Sequence, residues 1–309
     1  MNTKDILQKI NWPIGGKYIL AVSGGVDSVV LLDIFARVAI EKNYELTVAH
    51  FDHAMRPDSP DDIALVRALA AKYGLEFVNK TADKHLKSEG DAREARYQFL
   101  RQILASHMAK AIITAHHRDD YEETIVFNAL RGTNIRGLVP FRADQQIIRP
   151  LVGSTKQELT TYARHNKLIW HEDNSNTLHK YMRNVLRSGL LPFIRNDHAM
   201  YESFQQYAKG LVALQLQTDG YLATWLLEHV IFSPNDASID RTELAKVAFG
   251  VSQLLIYEVL RQLKPGELSQ VVVREAARQA RIARPATVIP LGNGLQLRVK
   301  TAIVIIMII

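Results

Sequence analysis

From residue 17 onward, short β-branched runs alternate with longer segments in which apolar residues recur every three or four positions. "KYILAVS" (17–23) precedes a helical pattern over 27–41, and "ELTVAHF" (45–51) precedes one over 59–73. "LEFVN" (75–79) leads into 91–109, and "AIITAHH" (111–117) into 118–131. Strands alternating with helices in this way predict βαβ units: an α/β fold with a doubly wound, mostly parallel sheet covered by helices on both faces. The character changes near residue 197. Helical periodicity runs through 199–231, 240–263 and 267–282, with Pro265-Gly266 between the last two, which predicts a smaller helical domain. The end, "TVIPLGNGLQLRVKTAIVIIMII", reads as strands with Asn293-Gly294 as a hairpin turn. The expected division is 1–197, 198–283 and a C-terminal β segment 284–309, whose final apolar strand would leave an edge unpaired.

Ligands of doubly wound sheets sit at the carboxyl ends of the strands. The distinctive polar stretches fall there: "SGGVDS" after the first strand, "HFDHAMRP" after the second and "AHHRDD" after the fourth. In the first, a strand ending at Ser23 passes through Gly24 and Gly25 and enters a helix at Val26, Asp27 and Ser28. Backbone N–H groups of such a turn form a cup for phosphate, the glycines allow close approach, and the two serines add hydroxyls. Asp27 suits an anion site once a divalent cation such as Mg²⁺ is held against the phosphate oxygens. The stretch is neither GxxxxGK[ST] nor GxGxxG, and it carries no lysine of its own. A turn that merely joins strand to helix is the bland alternative.

Composition narrows the chemistry. The 309 residues, 47% of them hydrophobic, suffice for two domains with real cores. No apolar run approaches the roughly 20 residues of a membrane helix. The start lacks the layout of a secretory signal, so a cytoplasmic protein without membrane attachment is expected. There is no cysteine, which excludes disulfides, thiolate zinc sites, iron–sulfur clusters and thiol catalysis. Lys and Arg total 38 against 32 acids, a net charge of +6 that permits a nucleic-acid partner without requiring one.

His116, Asp120 and Glu123 lie at i, i+4 and i+7, one face of a helix that starts at a strand's carboxyl end. Metal ligation by His116, His117 and Asp119 is a rival reading of the same stretch, and an ordinary solvated helix start another. Arg93 and Arg96 are three apart, hence neighbours on one helix; pairing with Glu94 or solvent is the bland reading. His50, Asp52 and His53 line the site by the strand-end rule, although His53 could simply cap a turn.

The loop resembles the SGGxDS pyrophosphate-binding loop of the ATP pyrophosphatases, which cleave ATP between the α and β phosphates and leave AMP on a substrate oxygen. Absence of cysteine argues against the sulfur-inserting and glutamine-dependent members. Four further stretches resemble tRNA(Ile)-lysidine synthetases: "HFDHAMRPDS" (50–59), "DAREARYQFL" (91–100), "AHHRDDYEETIVFNALRG" (115–132) and "HEDNSNTLHKYMRNVLRSGLLP" (171–192). The last carries Asp173, Ser175-Asn176, Arg183-Asn184, Arg187 and Pro192 in that family's D-x-SN…RN…R…P pattern. The resemblance spans roughly residues 17–195, whereas 199–309 match only in outline.

It implies a PP-loop catalytic domain and a helical tRNA-binding domain. The implied reaction begins with ATP and Mg²⁺ adenylating the 2-carbonyl oxygen of the wobble cytidine of tRNA(Ile); the ε-amine of free lysine then displaces AMP to give lysidine. The resemblance implies that Ser23, Gly24, Gly25, Val26, Asp27 and Ser28 bind ATP and that Arg96 contacts phosphate. It places His116 at the adenylation site and gives Asp120 and Glu123 the lysine. Between Asn174 and Asn196 there is no acid, while Lys180, Arg183, Arg187 and Arg195 accumulate, so this segment is the best candidate for tRNA phosphates; a solvated basic face is the alternative. Many family members carry a further C-terminal domain, so a short or truncated form is open, as is a homodimer. Two other functions stay open: an ammonia-using, amide- or amidine-forming ATP pyrophosphatase, and a non-catalytic adenine-nucleotide-binding module.

Overall fold

The computed structural model describes residues 4–54, 59–82, 89–132, 139–140, 146–171, 185–264, 269–292 and 294–309. Among them no helix is long and apolar enough to cross a membrane. The chain divides into two compact units, Met1–Leu211 and Val212–Ile309.

The first unit holds the predicted parallel sheet. Its strands are β1 (Gly16–Ala21), β2 (Tyr44–Asp52), β3 (Glu76–Thr81), β4 (Ala111–Ile113) and β5 (Ile147–Ile148), ordered β3-β2-β1-β4-β5 and parallel throughout. Helices α1 (Lys4–Lys9), α2 (Val26–Val38), α3 (Ser59–Lys72), α4 (Glu89–Ser106), α5 (Arg118–Leu130), α6 (Lys156–His165) and α7 (Leu191–Asn196) accompany it. Successive side chains of a strand face opposite ways, and β1 uses both directions. Tyr18 and Leu20 enter a core with Ile6, Val30, Ile34, Val66 and Leu159, drawn from α1, α2, α3 and α6. Ile19, between them, packs with Tyr97, Phe99, Leu100 and Leu104 of α4. Each such burial is worth about 1.5–3 kcal/mol, which explains why the central strands read as unbroken apolar runs.

Strand order reverses between β1 and β4, so their carboxyl ends open a crevice at the topological switch point. The loops following these two strands carry "SGGVDS" and "AHHRDD".

A buried polar knot fixes the helix that leaves this crevice. Asp33 of α2, 1% exposed, accepts hydrogen bonds from Tyr162 of α6 at 2.7 Å, from Arg37 at 2.8 Å and from Tyr73. It ties α2 to α6 and to the turn after α3.

The second unit is an antiparallel sheet backed by helices. Strands β6 (Val230–Phe232), β7 (Asp236–Asp240), β8 (Val288–Gly292), β9 (Leu295–Val299) and β10 (Ile303–Ile308) are ordered β6-β7-β10-β9-β8. Helix α8 (His198–His229) carries the boundary between the units, and α9 (Arg241–Lys246), α10 (Phe249–Leu263) and α11 (Gln270–Ile282) follow. Helices and terminal strands share one core, in which Leu255, Val259, Ala276, Leu297, Val304 and Ile306 meet. Two expectations change here. Strands β6 and β7 interrupt the stretch read as purely helical, and β10 is not an unpaired edge but the central strand, bonded to β7 on one side and β9 on the other. Pro265-Gly266 and Asn293 lie outside the described residues.

The Asp33 knot has a measurable consequence. Asp33→Ala should destabilise the first unit by on the order of 3 kcal/mol, because the buried Tyr162 hydroxyl loses its acceptor. Burial, with the hydrogen bond to Asp33 added, pushes the Tyr73 phenol up to about 12. The folded state thus holds that proton more tightly than the unfolded chain, whose phenol titrates near 10. The associated stability is complete below about pH 10 and is lost as the pH rises through about 12. Urea unfolding of wild type and Tyr73→Phe at pH 8 and about pH 11 checks this: the variant should lose less stability between the two pH values.

Candidate active site

The phosphate-cup turn is built as its composition requires. Gly24 has φ +95°, a backbone region that side chains with a Cβ rarely adopt. Its carbonyl accepts from the His171 amide at 3.1 Å, and the His171 ring bonds Asp62 at 2.7 Å. The Ser28 hydroxyl holds the turn closed. It accepts from the backbone N–H of Ser23 at 3.1 Å and of Gly24 at 3.2 Å, and it donates to the Gly25 carbonyl at 2.9 Å. Its proton is therefore committed within the loop, and Ser28 shapes the cup rather than donating outward. The Ser23 hydroxyl lies 3.2 Å from it. Gly25 is the N-cap of α2 and gives its amides no side-chain cap, whereas nearby α6 is capped by Thr155 and Glu158. The open end of a 13-residue helix, with Val26 buried behind it, leaves its first amides able to receive an anion.

Beneath the loop lies His50, 3% exposed, whose Nδ1 donates to the Val22 carbonyl at 2.8 Å. Burial first, outweighing its nearby carboxylates, lowers its pKa, so it is a neutral support. Asp52 accepts from the Ala54 amide at 2.8 Å and turns the chain after β2. His53 is partly buried, packs edge-on against Phe51, and is lowered by burial and by Arg96.

The loop after β4 divides charge between neighbouring histidines. His116 bonds Thr114 at 2.8 Å, and its pKa is pushed down to about 3, first by burial and then by the positive field of Arg149, Arg96 and Arg93. It is a neutral imidazole. His117 goes the other way. Burial alone would lower it, but Asp119, Asp27 and Asp120 outweigh this and raise it to about 9, an imidazolium. Its Nε2 stands 3.6 Å from Asp27 and 3.4 Å from Asp120, and its Nδ1 3.5 Å from Asp119. An imidazolium must give up a proton before it can ligate a metal ion. Among the described residues no three such side chains converge as a metal cage.

Asp27 is also paired with Lys156, Nζ to Oδ2 2.6 Å, and the Lys156 amide donates to Asp119 at 2.7 Å. Burial tends to raise Asp27, but His117 and Lys156 win and hold it below the usual carboxylate range. Its other oxygen, Oδ1, is buried with no hydrogen-bond partner. Lys156 and Arg149 were not singled out in the sequence, and His117 was named there only in the rival metal-ligand reading. The signal for the first was present, since T-x-x-E at 155–158 is a capping box that puts Lys156 at a helix start.

The acidic face of α5 meets basic residues from the following segment. Glu123 pairs with Arg187 Nε, and Asp120 lies 3.7 Å from Arg187 Nη2. Arg195 bridges Asp119 at 2.6 Å and Glu122 at 2.5 Å, and Tyr201 donates to Glu122 at 2.8 Å. Val126, Leu186 and Leu191 pack together beside these pairs. Arg187 and Arg195, read from the sequence as contacts for tRNA phosphates, thus have carboxylate partners on α5 in the structure. The physical reason is the burial of Glu122 and Glu123, whose charges require cations. Asp173, Ser175, Asn176, Lys180, Arg183 and Asn184 lie outside the described residues, as do 55–58 of the stretch after β2.

The PP-loop domain family matches residues 2–194. A tRNA(Ile)-lysidine synthase of Exiguobacterium sibiricum is 35% identical over 189 residues, covering 60% of this chain and 45% of that protein. One of Enterococcus faecalis is 31% identical, covering 67% and 48%. One of Chlorobaculum tepidum is 34% identical over 226 residues, covering 70% and 68%. The chain spans about half the length of the first two. Among solved structures, a U34-tRNA thiolase from Methanococcus maripaludis shares the fold, with a TM-score of 0.57 at 16% identity, over 69% of this chain and 77% of that one.

Arg195 offers a direct test of the α5 pairing. Arg195→Ala leaves buried Glu122 without its guanidinium and should cost about 3–5 kcal/mol in urea unfolding. A solvated phosphate contact would instead change stability by less than about 0.5 kcal/mol.

Proposed function

We propose that the chain, which belongs to the PP-loop domain family and within it to the tRNA(Ile)-lysidine synthase family, uses ATP to adenylate the wobble cytidine of tRNA(Ile) and then joins free lysine to it. The observation that carries this reading is the meeting of the two motif loops at the switch point. Asp27 of the glycine loop stands within 3.6 Å of His117, and His117 within 3.4 Å of Asp120 at the start of the acidic helix. A phosphate cup and a cation-binding carboxylate face are thereby adjacent, as a reaction joining an ATP-activated oxygen to an amine requires.

The triphosphate of ATP lies on the amides of Gly25 to Ser28, at the uncapped start of α2, the Ser23 and Gly24 amides being bonded to the Ser28 hydroxyl that closes the cup. The orphaned Oδ1 of Asp27 fits a divalent cation, since Mg²⁺ binds through one or two carboxylates together with substrate phosphates. Bound there, Mg²⁺ would neutralise phosphate charge. Around His116, the arginines Arg93, Arg96 and Arg149 create a positive field that favours an anion, the adenylate phosphate. His116 stays uncharged beside it and can donate a hydrogen bond without adding a fourth cation.

Lysine brings an ammonium with a pKa near 10.4, which attacks only after losing a proton. Asp120 and Glu123 hold it and supply oxygens that accept that proton. The guanidinium of Arg187 already rests against this pair, a charge of the type the ammonium would bring. Lysine must share or displace it. Whether Lys180 and Arg183 then guide the anticodon loop belongs to the same proposal, as does a cytoplasmic site of action.

Pyrophosphate release from ATP with and without tRNA tests the reading. Release that needs tRNA(Ile) with a wobble cytidine supports it; RNA-independent release points to an ammonia-using relative of the chemistry, and none to a nucleotide-binding module. Within the reaction, Asp120→Asn should still release pyrophosphate once per tRNA but use lysine roughly 10- to 150-fold less well, the effect of losing a charged hydrogen bond of about 1.5–3 kcal/mol. His116→Ala should show the opposite fault, with adenylation lost. Following pyrophosphate and lysine incorporation in parallel on one tRNA decides between them.

A further inference from the structure

The SGGVDS loop brings no lysine, yet the fold delivers one to it from 129 residues further along the chain. Lys156 is the first residue of α6, and three constraints aim it. Thr155 and Glu158 cap the helix and set its start, the Glu158 amide bonding Thr155 at 3.2 Å and the Thr155 amide bonding Glu158 at 2.8 Å. The Lys156 amide is fixed to Asp119 at 2.7 Å. The Tyr162–Asp33 bond ties the body of α6 to α2, the helix that the loop enters. The side chain itself stays 47% exposed, with its ammonium 2.6 Å from Asp27 Oδ2. Such a cation is held in place at its backbone while its ammonium remains free to swing on a flexible stem. An exposed ion pair of this kind is worth about 0–1 kcal/mol, so it is readily exchanged.

We infer that Lys156 is the pyrophosphate-binding cation of this site: it covers Asp27 in the free protein and moves to the β and γ phosphate oxygens when a divalent cation takes the carboxylate. The inference rests on the reading of the loop as the ATP phosphate site. No bond is made or broken by Lys156 itself; it exchanges one anionic partner for another while remaining protonated. A lysine at this place supplies the point charge that phosphate-binding loops of the GxxxxGK[ST] type carry within their own sequence.

The test uses the full chain without tRNA and two titrations: Mn²⁺ alone, followed by the signal of the free ion, and inorganic pyrophosphate in the presence of Mg²⁺, followed by calorimetry. Lys156→Met should bind Mn²⁺ more tightly, because the competing ammonium is gone, and pyrophosphate roughly 10- to 150-fold more weakly. Lys156→Arg should recover most of the pyrophosphate affinity, which separates a charge effect from misfolding. Unchanged pyrophosphate affinity in Lys156→Met, with Asp27→Asn binding neither Mn²⁺ nor pyrophosphate, overturns the inference and leaves the loop reading standing. Unchanged Mn²⁺ affinity in Lys156→Met overturns the exchange at Asp27. If wild type itself binds no pyrophosphate, the loop reading falls and the inference with it.

Discussion

Negative charge gathered at one point governs how the first unit closes. Asp27, Asp119, Asp120, Glu122 and Glu123 all approach the mouth of the crevice between β1 and β4, and the last two are almost fully buried. Two carboxylates about 4 Å apart repel by about 4 kcal/mol at the dielectric typical of protein surfaces. Such a cluster persists only if cations come to it. His117 arrives from the same loop, Lys156 from α6, Arg187 and Arg195 from the segment leading into α8. Between residues 150 and 196, Lys156, Arg187 and Arg195 each answer that demand.

Ion pairs of this sort add little to stability when exposed and seldom repay their desolvation when buried. Their effect here is placement. Glu122 accepts from Arg195 and from Tyr201 at once, so α5 has one orientation against α7 and the start of α8. With α5 fixed, Asp120 and Glu123 face the crevice together. The apolar core of Val126, Leu186 and Leu191 supplies the favourable energy beside these pairs, and the charges decide the register. On the other side of the crevice, Asp33 plays the same part for α2 and α6.

This separation of labour explains which features were legible in the sequence. Strand and helix periodicities are local, and they gave β1 to β4, the helices α2 to α5 that follow them and the glycine turn within a few residues, but not α1, β5, α6 or α7. The closing of the turn was also local, because Ser28 bonds Ser23, Gly24 and Gly25, no more than five residues away. What escaped reading was long-range. Arg187 and Glu123 are 64 residues apart, Arg195 and Glu122 are 73, and Lys156 and Asp27 are 129. A run of basic residues without acids gives no sign of carboxylate partners that lie in another segment. In the second unit, β6 has only three residues, too few for an alternating pattern to stand out from the helix before it. β10 reads as a terminal edge because the strand that covers it, β7, is a short piece between two stretches of helical period.

The dipeptide His116-His117 shows how one rule of local geometry can divide a site into two. His117 is extended, with φ −120° and ψ 179°, and lies four residues past the end of β4, directly before α5. In extended chain, consecutive side chains point to opposite sides. One imidazole therefore enters the field of Arg93, Arg96 and Arg149 and loses its proton, while the next enters a cluster of carboxylates and keeps it. The two sides differ in charge because each is lined by a different neighbour of β4: arginines of α4 and of the residue after β5 on one, the glycine loop and α5 on the other. A reaction that must receive a phosphorylated group and an ammonium in adjoining places needs such a division, and an extended pair of residues at a switch point produces it with no additional structure.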